Sequence, residues 1–439
     1  MGDRTGDRMR DRTGDGTGDG MRRRTVERQT YWKTVVALFF FGWVLLYANR
    51  TVLSPLLKVL GDQWHLNNTQ LGLLNSVFFL MYALMQIPSG VLADRLGRRR
   101  ILLPGFFLQG AGALASGLAP AAQSFLGIRA ATGLGQGTYY SAQYALAAEA
   151  IPREHRGLGT AIINSGMAGG IILGLWLSGT MVYDWSLSWR WPVLLLGAIT
   201  LAAGALMAAV VRERPPVQGN DVKGVAAVAA SAAVARSASV GAAAASPRAA
   251  APGYVRTLVL TSATALCSMY GFYVILTWLP YYLQTARGMA GGLAANISTL
   301  MPLASVPGGL LAARLSDRLG RRRPVIVLLA PFAVLSLMGI VLLPGVWSLG
   351  LMLLLYGFCG KLVIDPLLVS LVADVAPPGG YGTAFGILNF ASTVSMVAAP
   401  TITGFIVDHT GSFVSAFYLA AGILVVGWAA MLAVRERGR

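Results

Sequence analysis

Twelve apolar stretches, separated by short polar ones, dominate this sequence and leave it few folds to adopt. They lie near residues 33–57, 70–92, 101–119, 122–148, 158–182, 191–211, 256–284, 293–315, 324–343, 347–373, 380–407 and 412–434. Each matches the ~20 residues that a helix needs to cross the hydrocarbon of a bilayer. Inside lipid the backbone must satisfy its own hydrogen bonds, which a helix does within one segment. Charge is thinned accordingly. Of the 439 residues, 12% are charged and 55% hydrophobic, whereas a soluble domain carries about 25% charged residues. The expected fold class is an all-α membrane protein with twelve transmembrane helices, and its first partner is the lipid bilayer.

Where the remaining charges fall carries the next inference. A net charge of +17 in a soluble protein would point to nucleic acid. Here the basic residues cluster at the ends of the apolar stretches, which is how topology is encoded. No nucleic-acid partner is expected. One side receives the N-terminal tail, the 95–100 loop, Arg153, Arg156, the 212–256 loop, the 318–323 loop, Arg435, Arg437 and Arg439. The other side has scattered charges such as Lys58, Arg190 and Arg287. The basic-rich side should be cytoplasmic, with both termini on it, in a multi-pass protein of the bacterial cytoplasmic (inner) membrane. Cys267 and Cys359 sit in apolar runs and suggest neither a disulfide framework nor a metal site. His65, His155 and His409 lie in loops, so no catalytic cluster forms. An enzyme is not expected, nor is a cofactor.

Two segments stand apart in composition. Residues 1–30 form a Gly/Asp/Arg tail with no apolar face to bury, expected to be disordered. Residues 213–254 read as an Ala-rich cytoplasmic linker. It separates an N-terminal six-helix bundle, 31–212, from a C-terminal one, 255–435. The halves also repeat. GVLADRLGRRRIL surrounds Asp94 after the second stretch, and AARLSDRLGRRRPVI surrounds Asp317, 223 positions later, after the eighth. Duplicated halves place a substrate site near the bilayer midplane between them.

At these residues the chain resembles the major facilitator superfamily. Gly90, Asp94, Arg95, Gly97 and Arg98 to Arg100 match its loop motif. Asp317, Arg318, Gly320 and Arg321 to Arg323 match a second copy, with Ala313 at the glycine position. Arg129, Gly133, Gly135 and Gly137 match its fourth-helix motif. Within the superfamily the chain is most similar to the anion:cation symporter branch. The matching residues are Tyr47, Arg50 and Ser54, then Tyr82, Gln86, Ile87, Pro88 and Gly90, then Trp278, Leu279, Pro280, Tyr282 and Leu283.

The resemblance implies two six-helix bundles related by pseudo-two-fold symmetry, with helices one, four, seven and ten lining a central cavity. It implies a monomeric secondary transporter that imports a small organic anion (a carboxylate, sugar acid, aromatic acid or sulfonate) with protons, by alternating access. A proton-coupled exporter of drugs or metabolites is the alternative. The fifth stretch, NSGMAGGIILG, lacks the Gly-Pro motif of such antiporters. Asp94, Arg95, Arg98, Asp317 and Arg318 would form a gating lock. There are two departures. Asn49 stands where the branch has Asp, and Gln136 where many members have a Glu linked to proton coupling.

Ionisable residues inside the membrane cost at least ~2.5 kcal/mol and often mark function. Arg50, Arg129 and Lys361 fall within the first, fourth and tenth stretches. Projecting into one cavity they would bind an anion, with arginine giving the bidentate contact. Each has a bland alternative: snorkelling for Arg50, helix packing for Arg129, and a structural i,i+4 ion pair with Asp365 for Lys361. Asp365 is the candidate proton carrier, since the two usual carboxylates are amides here. Tyr47, Tyr82, Tyr139, Tyr140, Tyr270, Tyr273 and Asn389 are candidate wall residues. Trp278 and Pro280 are expected at the membrane interface and at a helix bend.

Overall fold

The computed structural model describes residues 16–211, 253–377 and 381–436, with all their side chains except those of residues 16–30, Asp94, Ser141, Arg153, Tyr381 and Gly382. Among the described residues every regular element is helical. In the first half the spans are Gly16–Thr51, Asn68–Leu96, Arg98–Leu118, the pair Ala122–Gly137 and Tyr139–Ala150, then Arg156–Asp184 and Arg190–Val210. In the second half they are Tyr254–Thr285, the pair Gly291–Ser298 and Leu300–Leu319, then Arg323–Leu342, Val346–Val375, Tyr381–Thr410 and Phe413–Leu432. Ten of these are long and apolar enough on their own to cross a membrane. The fourth and eighth, each broken into two helices, complete the twelve.

The first helix begins at Gly16, inside the segment expected to be disordered. The physical reason is cooperativity. The apolar part, Tyr31–Thr51, supplies the nucleus, and extending a formed helix costs far less than starting one. Residues 1–15 and almost all of the expected 213–254 linker lie outside the described residues.

Small residues set how closely the helices approach, as they do generally in lipid. A Cβ added at Gly166, Gly170 or Gly174 of the fifth span would strike the carbonyls of Phe40, Val44 and Ala48 on the first. The repeat is visible in this packing. Gly133 of the fourth span seats on the Phe78 carbonyl of the second, and Gly357 of the tenth seats on the Met301 carbonyl of the eighth.

The halves are tied together on the side away from the arginine-rich loops. The Asp408 carboxylate, at the end of the eleventh span, accepts from the Asn68 and Thr69 amides at 3.0 and 2.7 Å. It also accepts from Asn68 Nδ2 at 2.8 Å and Thr69 Oγ1 at 2.5 Å. It thereby caps the second span from the opposite half, where unpaired N–H groups and the helix dipole favour an anion. Tyr183 Oη lies 2.7 Å from Gln284 Oε1, and Gln284 Nε2 donates to the Pro55 carbonyl at 3.2 Å. Further in, Ser76 donates to the Val397 carbonyl. Still nearer the arginine-rich side, Asn389 Nδ2 donates to Gln86 Oε1 at 3.0 Å. Trp278 is not at an interface as expected. It is fully buried and donates to the Pro400 carbonyl at 3.0 Å, since an indole N–H in a helix bundle needs an acceptor and this carbonyl is within reach.

Candidate functional site

Two of the helix breaks are related by the repeat. The fourth span turns at Thr138, whose Oγ1 donates to the Gly135 carbonyl at 2.9 Å. The tenth turns at Gly360, and Lys361 is the first residue of the helix that follows. Irregular backbone at membrane depth is tolerated where it is buried in protein or faces a watery cleft. Each break places a polar side chain beside it, Gln136 in one half and Lys361 in the other.

Arg50, on the first span, is 5% exposed. Its Nε donates to Gln136 Oε1 at 2.6 Å. Gln136 is itself fixed, donating to the Leu46 carbonyl at 3.2 Å. The guanidinium carbon lies 4.7 Å from the ring centres of both Tyr47 and Tyr82, with Phe79 at 5.8 Å. These rings hold the cation by cation–π attraction. The hydroxyls of Tyr82 and Tyr273 also engage it. This is no snorkelling side chain, since its partners lie inside the bundle. Its pairing has a consequence: an amide satisfies one N–H and leaves the charge uncancelled. Asn49, the other departure, donates to the Leu45 carbonyl at 2.9 Å and to Thr200 Oγ1 at 3.0 Å, so it is a packing group.

Across the cleft, Lys361 is 7% exposed and its Nζ lies 2.7 Å from Asp365 Oδ2, with the Phe272 ring at 5.4 Å. The Asp365 side chain is 30% exposed, so protein does not seal the carboxylate. Tyr47 stands within electrostatic reach of Arg50, Lys361 and Asp365 together. Arg50, Lys361, Asp365, Tyr47, Tyr82 and Tyr273 thus form one cluster between the halves.

The other candidates fall elsewhere. Arg129 is buried against the second span, with one terminal nitrogen 3.4 Å from Asn75 Oδ1 and its guanidinium over Phe78 at 4.3 Å. It lies seven residues before Gln136, about 10 Å of helix rise away. Arg129 still feels the charge of Arg50, but its hydrogen-bonding and ring contacts are with the second span. Tyr139 packs inside the first half between Phe39, Phe106 and Trp43, while its neighbour Tyr140 is 37% exposed. Tyr270 is buried beside Thr403, and Asn389 belongs to the contact with Gln86.

The loop motifs show what sequence comparison missed. Arg95 and Arg318 are exposed. In the first half Arg98 pairs with Glu149, at the end of the fourth span, and Arg99 donates to the Ala208 carbonyl. In the second half Arg322 pairs with Asp317 at 2.6 Å and lies 3.8 Å from Asp374 at the end of the tenth span. Arg323 donates to the Met431 and Leu432 carbonyls. The roles have moved by one residue, from Arg98 and Arg99 to Arg322 and Arg323. Pro324 is the cause: it is confined to the first turn of a helix, so the ninth span starts at Arg323 whereas the third starts at Arg98. A matching pair of segments, Ala148-Glu149-Ala150-Ile151-Pro152 and Ala373-Asp374-Val375-Ala376-Pro377, would have revealed both acids. The Asp94 side chain lies outside the described residues.

Residues 39–297 and 261–439 match the family model described as Major Facilitator Superfamily. The chain is 28% identical to a probable sulfoacetate transporter of Cupriavidus necator, over 94% of this chain and 95% of that protein. It is 25% identical to a hexuronate transporter of Bacillus subtilis, over 89% and 92%. Among solved structures it resembles an inward-facing, occupied bacterial homologue of the human lysosomal transporter Spinster, with a TM-score of 0.71 and 16% identity, over 92% of this chain and 96% of that one.

Proposed function

We propose, from the premise that this chain belongs to the Major Facilitator Superfamily, that it is a secondary transporter importing a small organic anion by proton symport. The relatives named for sulfoacetate, hexuronate and galactarate or D-glucarate are all named for organic acids. The observation that carries the reading is Arg50, a buried cation held by an amide and two tyrosine rings, with no carboxylate paired to it among the described residues. A buried charge without a counter-ion is costly, and a carboxylate or sulfonate arriving from the cleft relieves that cost. Lys361 supplies a second cation, and Tyr47, Tyr82 and Tyr273 an amphipathic wall. Asp365 carries the coupling proton, because the carboxylates expected at Asn49 and Gln136 are absent. Asp408 and Gln284 join the halves on the side away from the arginine-rich loops, which supports a cluster open to the arginine-rich side, cytoplasmic by the positive-inside rule. Alternating access then exchanges these outer contacts for contacts among the arginine-rich loops.

Purified protein in proteoliposomes, screened with labelled organic anions under an imposed pH gradient, tests this. Arg50→Ala should lower uptake by about a hundredfold, in line with the roughly 2–5 kcal/mol lost when one partner of a desolvated charge contact is removed. Undiminished uptake in that variant sinks the anion site. Asp365→Asn should abolish the response to the pH gradient, and an intact response sinks the proposed proton route.

A further inference from the structure

We infer that the Lys361–Asp365 pair is a charge selector, which admits a monoanion while Asp365 is ionised and a dianion once Asp365 takes up a proton. The inference rests on the anion-carrier reading above and adds the substrate charge that the site accepts. Its basis is the asymmetry of the two cations in the cluster. Arg50 is bound to an amide, so its charge is available in every state. Lys361 is bound to a carboxylate at 2.7 Å, so its charge is cancelled until that carboxylate is neutralised.

The groups around Asp365 give no other way to change this balance. On its own helix it faces Lys361, on the first span Tyr47, and on the fourth Tyr140. Arg50, with Tyr82 and Tyr273 around it, completes the set that these groups feel. Among these described residues Asp365 is the carboxylate and the others are cations or phenols. Arg129, turned to Asn75 and Phe78, contributes a constant charge.

Charge balance then fixes two loaded states. With Asp365 ionised, the pair is neutral, Arg50 carries one positive charge, and one anionic group neutralises it. With Asp365 protonated, Lys361 and Arg50 both stand free, and two anionic groups neutralise them. The proton comes from the cleft water, adds to a carboxylate oxygen and is carried with the dianion. Both loaded sites have the same net charge, so both meet the same electrostatic barrier as the halves rock, which a bare extra charge in low dielectric would raise. Lys361 opens its helix, where a cation opposes the dipole. An anion seated there faces the ammonium and the helix start together.

The test compares matched acids that stay fully ionised above pH 6: gluconate with glucarate, isethionate with sulfoacetate, benzoate with terephthalate. Binding to the full-length protein in detergent is measured from pH 6.5 to 8.5 and scored on every pair of which a member binds. Taking up one proton with the dianion makes the dianion-over-monoanion preference rise about tenfold for each pH unit lowered. Asp365→Asn should prefer the dianion at all pH values. Lys361→Gln, which leaves the backbone break unchanged, should lose the dianion preference at all pH values. Real binding with a preference that ignores pH, or that survives Lys361→Gln, overturns the selector and leaves the carrier reading standing. Binding of none of the six acids overturns both.

Discussion

The two halves of this protein share a scaffold and differ in the chemistry placed on it. Both seat a fourth-helix glycine, Gly133 or Gly357, on a second-helix carbonyl, and both break that helix shortly after it, at Thr138 or Gly360. At the break, however, the first half offers Gln136, which holds Arg50 and cannot titrate. The second offers Lys361 paired with the Asp365 carboxylate at 2.7 Å. Duplication therefore preserved what lipid packing demands, which is small residues at close contacts, and released the polar positions to diverge. One half carries a cation held by an amide and the other a cation paired with an acid.

The most direct way to break this comparison is to give the first half a carboxylate. Gln136→Glu puts an acid on Arg50 and makes it resemble the Lys361 pair. Uptake of the anion identified in the proteoliposome screen should fall about a hundredfold at pH 8, as the new ion pair competes for the guanidinium. It should recover as the pH falls and the glutamate is neutralised. An unchanged pH profile would show that Arg50 does not meet the substrate. Next in size is the shared scaffold. Gly133→Val and Gly357→Val each force a side chain into a backbone carbonyl, and overpacking costs roughly 1–3 kcal/mol or more. Both variants should unfold at lower temperature by similar amounts, and a large inequality would mean that the halves are not equally packed.

The closure of the halves is the third target. Asp408→Ala removes four hydrogen bonds to the start of the second span. In a background with Cys267 and Cys359 replaced by alanine, a cysteine at Ala295, buried opposite Gly179, should react with maleimide several-fold faster once that clasp is gone. An equal rate would show that the remaining contacts suffice. The smallest effect separates the two loop copies. Arg322→Ala should lower the melting temperature by an amount matching about 1 kcal/mol for a partly buried ion pair. Arg321→Ala, at an exposed position, should stay within about 0.5 kcal/mol of the parent. The reverse order would restore the one-to-one alignment of the two loop motifs.

Much of this was legible in the residues alone. Hydrophobic length gave twelve spans because lipid imposes a minimum helix length. The spacing of Gly166, Gly170 and Gly174 suits close helix packing without naming the partner helix, and the paired loop motifs announced the repeat. Arg50, Lys361 and Asp365 stood out because a charge in hydrocarbon is costly. Other features depend on facts that are not local. Trp278 reads as an interface residue from its place near a helix end, yet it is buried because the eleventh span supplies a carbonyl acceptor. Arg129 has the same residue type and depth as a ligand, yet turns to Asn75. The one-residue shift from Arg98 to Arg322 depends on where Pro324 lets a helix begin.

The sequence by itself thus determined the class, the number of spans, the duplication and which charges lie in the membrane, because those follow from the cost of exposing polar groups to lipid along one chain. Only the tertiary structure decided which charges meet. The partners of Arg50 and Lys361 lie on other helices or beyond a break, and a helix rotated by one residue turns a side chain by about 100° away from the cleft. In this fold Arg50 and Lys361 face the same cluster, while Arg129 turns to Asn75 and Phe78.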